Sequence, residues 1–213
     1  MSLTEMFQYL QDNFGMIVEL TVQHIELSFI AVLIAFVIGV PSGIVFTRFR
    51  KLSVVGLNVV SVMYTIPTLA LFGLMIPIIG MGTKAALTAL VIYSLMPIVQ
   101  NAYTGIKNID ANVLEAATGM GMSPYRRLLK IELPLATPVI LAGLRTALVN
   151  SIGVTTIASY IGAGGLGDLV FRGLSSVSPT LIIIGSVPVI LLAIVSDLII
   201  KMIEDRLTVK QLA

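Results

Sequence analysis

Cysteine and tryptophan are absent from this 213-residue chain, histidine occurs once, and charged residues make up only 11%. Without cysteine there is no disulfide framework, no thiolate metal site and no redox record of the compartment. The single histidine, His24, cannot build a multi-histidine metal centre, so neither metal nor cofactor is expected. No Lys or Arg precedes Arg48. A basic n-region and an A-x-A site are therefore both missing around the first apolar run, and no cleaved signal peptide is expected. The glycine-rich run IGAGGLGD (161–168) lacks the Lys-Ser/Thr pair that a phosphate loop requires. No nucleic-acid partner is expected either.

What is abundant is apolar surface, at 57% of residues. A soluble domain cannot hide that much, so lipid is the solvent for most of the chain. A bilayer core of ~30 Å needs roughly 20 apolar residues per helix. Stretches free of Asp, Glu, Lys and Arg run over 27–47, 52–83, 85–106, 133–144 continuing as 146–167, and 173–196, which gives five candidate spans. Pro67 and Pro77 interrupt the second, Pro97 lies in the third, and Pro134 and Pro138 open the fourth. Each proline frees a carbonyl that lipid cannot satisfy, so neighbouring helices or water must do so, which argues for a packed bundle. Gly39, Gly43, Gly56, Gly73, Ala142 and Gly143 are small enough to allow close helix approach. The expectation is an all-α polytopic membrane protein, with residues 1–213 forming one transmembrane domain.

Charge placement sets the sidedness. Ten of the thirteen basic residues fall in three segments: 48–51, 107–130 and 201–210. With five spans these segments share one side, and the positive-inside rule makes that side cytoplasmic. The N-terminus is then expected outside and the C-terminus inside, in a multi-pass plasma-membrane protein.

The segment EAATGMGMSPYRRLLKIELP (115–134) is a polar, basic island between two apolar runs. Asp110 or Asn112 can cap a short helix, and Asn112 with Glu115 has the shape of a capping box. Ala116 and Ala117 leave little side chain between that helix and a partner's groove, and Gly119 and Gly121 end it. Ser123-Pro124 starts a second helix, basic on one side and apolar on the other, which suits a headgroup interface. Glu115-Ala116-Ala117, Gly121, Ile131 and Leu133-Pro134 follow the spacing EAA, three residues, Gly, nine residues, Ile-x-Leu-Pro. This spacing resembles the coupling-loop motif of permease subunits in binding-protein-dependent ABC importers. YTIPTLALFGLMIPIIGMG (64–82), YSLMPIVQNAYTGI (93–106), ELPLATPVILAGLRTALV (132–149) and IGAGGLGD (161–168) resemble the osmoprotectant branch. Its members import glycine betaine, carnitine and choline.

The resemblance implies a five-helix importer-permease (MetI-like) fold with a cytoplasmic coupling helix in a loop of about 107–132. It implies four kinds of partner: cytoplasmic ABC ATPases, an extracytoplasmic substrate-binding protein, a second permease (copy or paralogue), and membrane lipid. It also implies that ATP is hydrolysed on a separate subunit and not by this chain.

Other residues carry expectations of their own. Arg145 is the one ionisable residue deep in a predicted span, roughly 16 Å along the helix from Pro134. It lines a pathway, or it snorkels and bonds neighbouring carbonyls, and the length of the fourth span favours the second. Asn150, Tyr64 and Pro67 are further pathway candidates, although Asn150, Gln100 and Asn101 equally suit hydrogen bonding between helices. Tyr64, Tyr93 and Tyr160 at span ends suit an interfacial belt better than an aromatic cage for a cation. Asp197 stands four residues before Lys201, the spacing of an intrahelical ion pair. His24 and Glu26 are expected outside the first span, in water. Asp168 and Arg172 are expected as an i,i+4 pair on a short helix after a tight turn, in an outer loop that is a candidate docking surface.

Two competing functions fit less well. A self-sufficient secondary carrier calls for intramembrane carboxylates and often inverted repeats, whereas only Asp197 is available and five spans do not halve. An intramembrane enzyme needs a nucleophile–base pair or a carboxylate cluster, which one histidine does not supply. Within the importer family, another small amino-acid-like solute is the alternative cargo.

Overall fold

A computed structural model describes residues 3–212. Its helices are α1 (Leu3–Asp12), α2 (Phe14–Arg48), α3 (Arg50–Thr65), α4 (Thr68–Ile79), α5 (Thr83–Lys107), α6 (Ala111–Gly119), α7 (Pro124–Arg127), α8 (Leu133–Ala158), α9 (Gly167–Ser175) and α10 (Pro179–Leu212). A π-helical turn, Leu128–Glu132, makes α7 and α8 one continuous run, and a 3-10 turn, Ser159–Ile161, ends it. No strand occurs among the described residues. Pro67 at the α3–α4 break, and glycines at the α4–α5, α6–α7 and α8–α9 breaks, mark four of the points where the helices of this chain end.

Four helical runs are long and apolar enough to cross a bilayer: Phe14–Arg48, Thr83–Lys107, Pro124–Ile161 and Pro179–Leu207. α3 with α4, bent by 100° between Thr65 and Thr68, makes a fifth if the bent pair is counted as one span. Proline disfavours the helical conformation in the residue before it, and Ile66 is extended at φ −64°, ψ 127°. The carbonyl freed there is not abandoned to lipid. The Tyr93 hydroxyl on α5 donates to the Ile66 oxygen, which is the compensation a broken span requires.

α5 sits at the centre, packed on α2, α3, α4 and α8, while α8 packs on α10 and α10 on α9. The close approaches rest on small residues. A Cβ on Gly43 of α2 would lie 2.6 Å from the Ala102 Cβ of α5, and one on Gly143 of α8 would lie 2.6 Å from the Asn101 Cβ. Gly39 also faces Ile98 on α5 at contact distance. Gly56 meets only the Phe46 ring, and nothing lies within 4 Å of a Cβ on Gly73. The small-residue expectation thus fails at Gly73. Outward faces are apolar, as at Leu33 and Val37 of α2 and Leu191 and Leu198 of α10, and suit contact with lipid chains.

Two boundaries and the burial of one residue differ from expectation. α2 begins at Phe14, well before the apolar run at 27. At 1.5 Å per residue its 35 residues exceed the length of the bilayer core. The last predicted span opens instead with the separate helix α9, and α10 starts only at Pro179. His24, expected in water, is fully buried, and its Nε2 donates to the Ile152 carbonyl of α8 at 2.9 Å. Beside it, the Ser28 hydroxyl lies 3.0 Å from that of Thr155, and the Ser151 hydroxyl donates to the Ser28 carbonyl at 3.3 Å. The polar glue between α2 and α8 is this seam, where two apolar faces would have slid freely. Glu26 is exposed, as expected.

Candidate functional site: the α5–α8 loop and the α8 face

The loop between α5 and α8 is built by successive capping events. Asp110 caps α6, its carboxylate accepting from the Asn112 backbone N–H at 2.9 Å and from the Asn112 amide at 3.0 Å. Of the two caps the sequence offered, Asp110 is the one used, and Asn112 supports it. Glu115 and Ala116 are exposed on α6, whereas Ala117 is 1% exposed and anchors the helix.

At the C-terminal end, the Met122 N–H reaches the Ala117 carbonyl at 3.2 Å and the Gly121 N–H reaches Thr118 at 2.9 Å. That hydrogen-bond pair is a Schellman motif. It requires a left-handed residue, and Gly121 has φ +77°, so the motif glycine is there because a Cβ would strain the turn. Ser123 then caps α7, accepting from Arg126 N–H, with Pro124 at the first helical position. Ile131 and Leu133 are half-buried and Pro134 is exposed at the start of α8. Leu133 packs on the cluster of Ala102, Ile106, Ala136 and Ile140 at the foot of α5 and α8. The structure therefore presents Glu115 and Ala116 outward, with Ala117 buried beneath them, Gly121 closing the helix and Leu133 packed at the foot of α8.

Glu132 was not singled out from the sequence. Its side chain is 1% exposed and bridged by Arg48 at the end of α2 and by Arg127 Nε at 2.9 Å. The available signal was its isolation, for it is the only acidic residue between Glu115 and Asp168.

Of the four pathway candidates, Arg145 and Asn150 lie on α8 and Tyr64 meets Asn150. Arg145, Asn150 and Asp197 line an open cavity of about 330 Å³ with Ala142, Thr146 and Val149. The Asn150 amide donates to the Tyr64 hydroxyl at 3.1 Å, linking α8 to α3. Tyr64 packs edge-on against Tyr93, with centroids 5.9 Å apart. Pro67 stands exposed at the bend just beyond Tyr64. Asn150 thus bonds a neighbouring helix from an exposed position, and Asn101 bonds only the Pro97 carbonyl of its own helix.

Arg145 pairs with carboxylates on α10. Its Nε donates to Asp197 on α10, and Nη1 lies 3.7 Å from Glu204. The Asp197–Lys201 pair expected from spacing is replaced by this interhelical pair, because helix α8 brings a guanidinium closer than the next turn brings an ammonium. Arg145→Ala leaves two carboxylates without their guanidinium and is expected to lower the thermal transition of the detergent-solubilised complex. Arg145→Ala with Asp197→Ala is expected to recover part of that loss. A double variant as unstable as the sum of the singles would show that the pair contributes nothing.

At the opposite end, Gly162, Gly164 and Gly165 all have positive φ and form the tight turn expected of IGAGGLGD. The Gly165 N–H donates to Gln23 of α2 at 3.2 Å. Asp168 and Arg172 share α9. Burial pushes the Asp168 carboxyl above the ordinary carboxylate range, and the nearby Arg172 partly opposes that. Tyr160, Asp168, Phe171 and Arg172 line an open hollow of about 710 Å³ there.

Comparison with known proteins agrees with this geometry. The profile of the family described as "Binding-protein-dependent transport system inner membrane component" matches residues 31–209. The chain is 44% identical over 201 residues to the choline transport system permease protein OpuBB of Bacillus subtilis, covering 94% of this chain and 93% of that one. It is 40% identical over 210 residues to the glycine betaine/carnitine/choline transport system permease protein OpuCB of the same organism, covering 99% and 97%. It is 42% identical over 207 residues to the osmoprotectant import permease protein OsmW of Salmonella typhimurium, covering 95% and 96%. A permease chain in an inward-facing structure of the MetNI methionine ABC transporter superposes with a TM-score of 0.78 at 21% identity, covering 97% of this chain and 99% of that one. With a matching profile over most of its length and relatives of this identity, the chain belongs to the family of multi-pass inner-membrane components of binding-protein-dependent transport systems.

Proposed function

We propose that this chain is the permease subunit of an ATP-driven importer for osmoprotectants of the glycine betaine, carnitine and choline type. The observation that carries the proposal is α6. It is a capped and exposed helix held by its own motif residues at the basic end of a lipid-embedded bundle. A bundle with no external motor has no use for it. In this proposal Glu115, Ala116 and Ala117 meet the ATPase, while Gly121, Ile131, Leu133 and Pro134 fix the loop of about 107–132 that presents them. ATP is hydrolysed on that separate subunit.

Arg145, Asn150, Tyr64 and Pro67 line the translocation pathway. Thr146, Asn150 and Gly153 are exposed on one face of α8, and lipid is a poor cover for such a face. A second permease, identical or paralogous, supplies the cover and encloses the pathway. The contact of Arg48 and Arg127 with one carboxylate supports placing both basic segments at one end. This favours an outside N-terminus and a cytoplasmic C-terminus. The glycine-rich turn and the hollow beside α9 then face the binding protein.

The test is transport in sealed vesicles containing the permease and ATPase, with ATP inside and the binding protein outside. Uptake of glycine betaine is expected only with all three present. Exchange of the binding protein for one of different specificity is expected to change the cargo. Cargo that stays constant through the exchange would place selectivity in this chain, and uptake without ATPase would indicate a secondary carrier.

A further inference from the structure

If the ATPase pushes on α6, the chain must carry that displacement to helices α6 does not continue into. Glu132 links the short helix α7 just before it to the end of α2, 84 residues away. Its Oε1 accepts from Arg127 Nε at 2.9 Å and its Oε2 accepts from Arg48, the last residue of α2. Arg127 also donates through Nη1 to the Thr118 hydroxyl of α6 at 2.9 Å. An unbroken run of side chains therefore leads from Thr118 through Arg127 and Glu132 to Arg48. There, extended Phe49 (φ −125°, ψ 99°) turns the chain from α2 into α3.

Both oxygens of a carboxylate that is 1% exposed are held by guanidinium groups. Separating either partner would strand a buried charge, so sliding at these contacts is strongly opposed. The carboxylate also sits on the π turn at the base of α8, a type of irregularity frequent at functional sites. Downstream of the Phe49 corner, α3 carries Tyr64, which meets Asn150.

Resting on the coupling role proposed for α6, we infer that Glu132 is a positioning residue that yokes the coupling helix to the α2–α3 corner. Motion of α6 then drives the bent span α3–α4 together with α8, and the Tyr64–Asn150 face is displaced from both sides.

The experiment uses the assembled transporter in vesicles with two readouts. Ala116→Cys, cross-linked to a cysteine on the ATPase, reports docking, and ATP consumed per glycine betaine imported reports coupling. Glu132→Gln is expected to keep the cross-link and raise the ATP-to-solute ratio roughly tenfold, within the range usual for coupling between sites. Arg48→Gln is expected to raise it similarly, the double variant no further than either single, and Glu132→Asp to recover part of the loss. Arg48 is 37% exposed, which keeps the test usable if Glu132→Gln fails to assemble. A normal ratio with a normal cross-link in either variant, or strictly additive effects, overturns the yoke and leaves the docking proposal intact. Absence of the cross-link in the otherwise unaltered transporter overturns the docking proposal, and the yoke with it.

Discussion

Replacement of Glu115 by lysine is expected to cut glycine betaine uptake at least ~tenfold while leaving membrane insertion and helix content unchanged. Glu115 is exposed on α6 and makes no ion pair or hydrogen bond among the described residues, so the fold has little to lose. The cap on α6 is Asp110, and the helix is buried through Ala117; neither depends on the Glu115 carboxylate. What changes is the sign of charge offered to the ATPase. An interface complementary to a carboxylate becomes repulsive toward an ammonium. Hydrolysis by the ATPase is expected to persist but no longer to respond to loaded binding protein. Insertion is checked by the yield of monodisperse protein in detergent, and coupling by parallel hydrolysis and uptake. Unchanged uptake would remove Glu115 from the ATPase contact.

Gly43→Val is expected to have the largest effect on stability, with Gly143→Val close behind. A Cβ at residue 43 would stand 2.6 Å from the Ala102 Cβ, 2.9 Å from the Val99 oxygen and 3.0 Å from the Tyr103 nitrogen. At residue 143 it would stand 2.6 Å from the Asn101 Cβ and 2.8 Å from the Pro97 oxygen. These neighbours are backbone or Cβ atoms, which cannot rotate away, so α2 or α8 must move off the central helix α5. Overpacking of this kind costs about 1–3 kcal/mol and sometimes more, and both positions belong at the upper end. Gly73→Ala is the matched control. Nothing lies within 4 Å of its Cβ, and alanine gains roughly 0.8–1 kcal/mol of helix propensity over glycine. Thermal unfolding in detergent should order the three variants accordingly. A Gly43→Val protein as stable as Gly73→Ala would refute the close α2–α5 packing.

The spans and the loop were legible because each depends on local pattern. A run of apolar residues, a proline that forces Ile66 out of the helix, and a glycine where a Schellman turn needs positive φ are all visible within one or two turns of chain. The long-range partners were not. His24 bonds a carbonyl 128 residues away, Arg145 a carboxylate 52 away, and Glu132 a guanidinium 84 away. Spacing suggested Lys201 for Asp197 because a helix neighbour is the only partner that sequence distance can propose. His24 was assigned to water because the apolar run starts after it. The helix itself starts at Phe14, and its inward face there is set by α8. The four pathway candidates were chosen separately for charge, polarity and proline, and only the fold revealed that Tyr64 meets Asn150.

The π turn at Leu128–Glu132 gives a physical sense to the nine residues separating Gly121 from Ile131. Such a turn consumes one residue more than an α turn, and one residue of an α-helix corresponds to about 100° of azimuth. Removing a single residue there would scarcely shorten the chain, but it would rotate the segment before it out of phase with α8 and swing Arg127 away from Glu132. The interval therefore measures angle more than distance, and it determines which way α6 points.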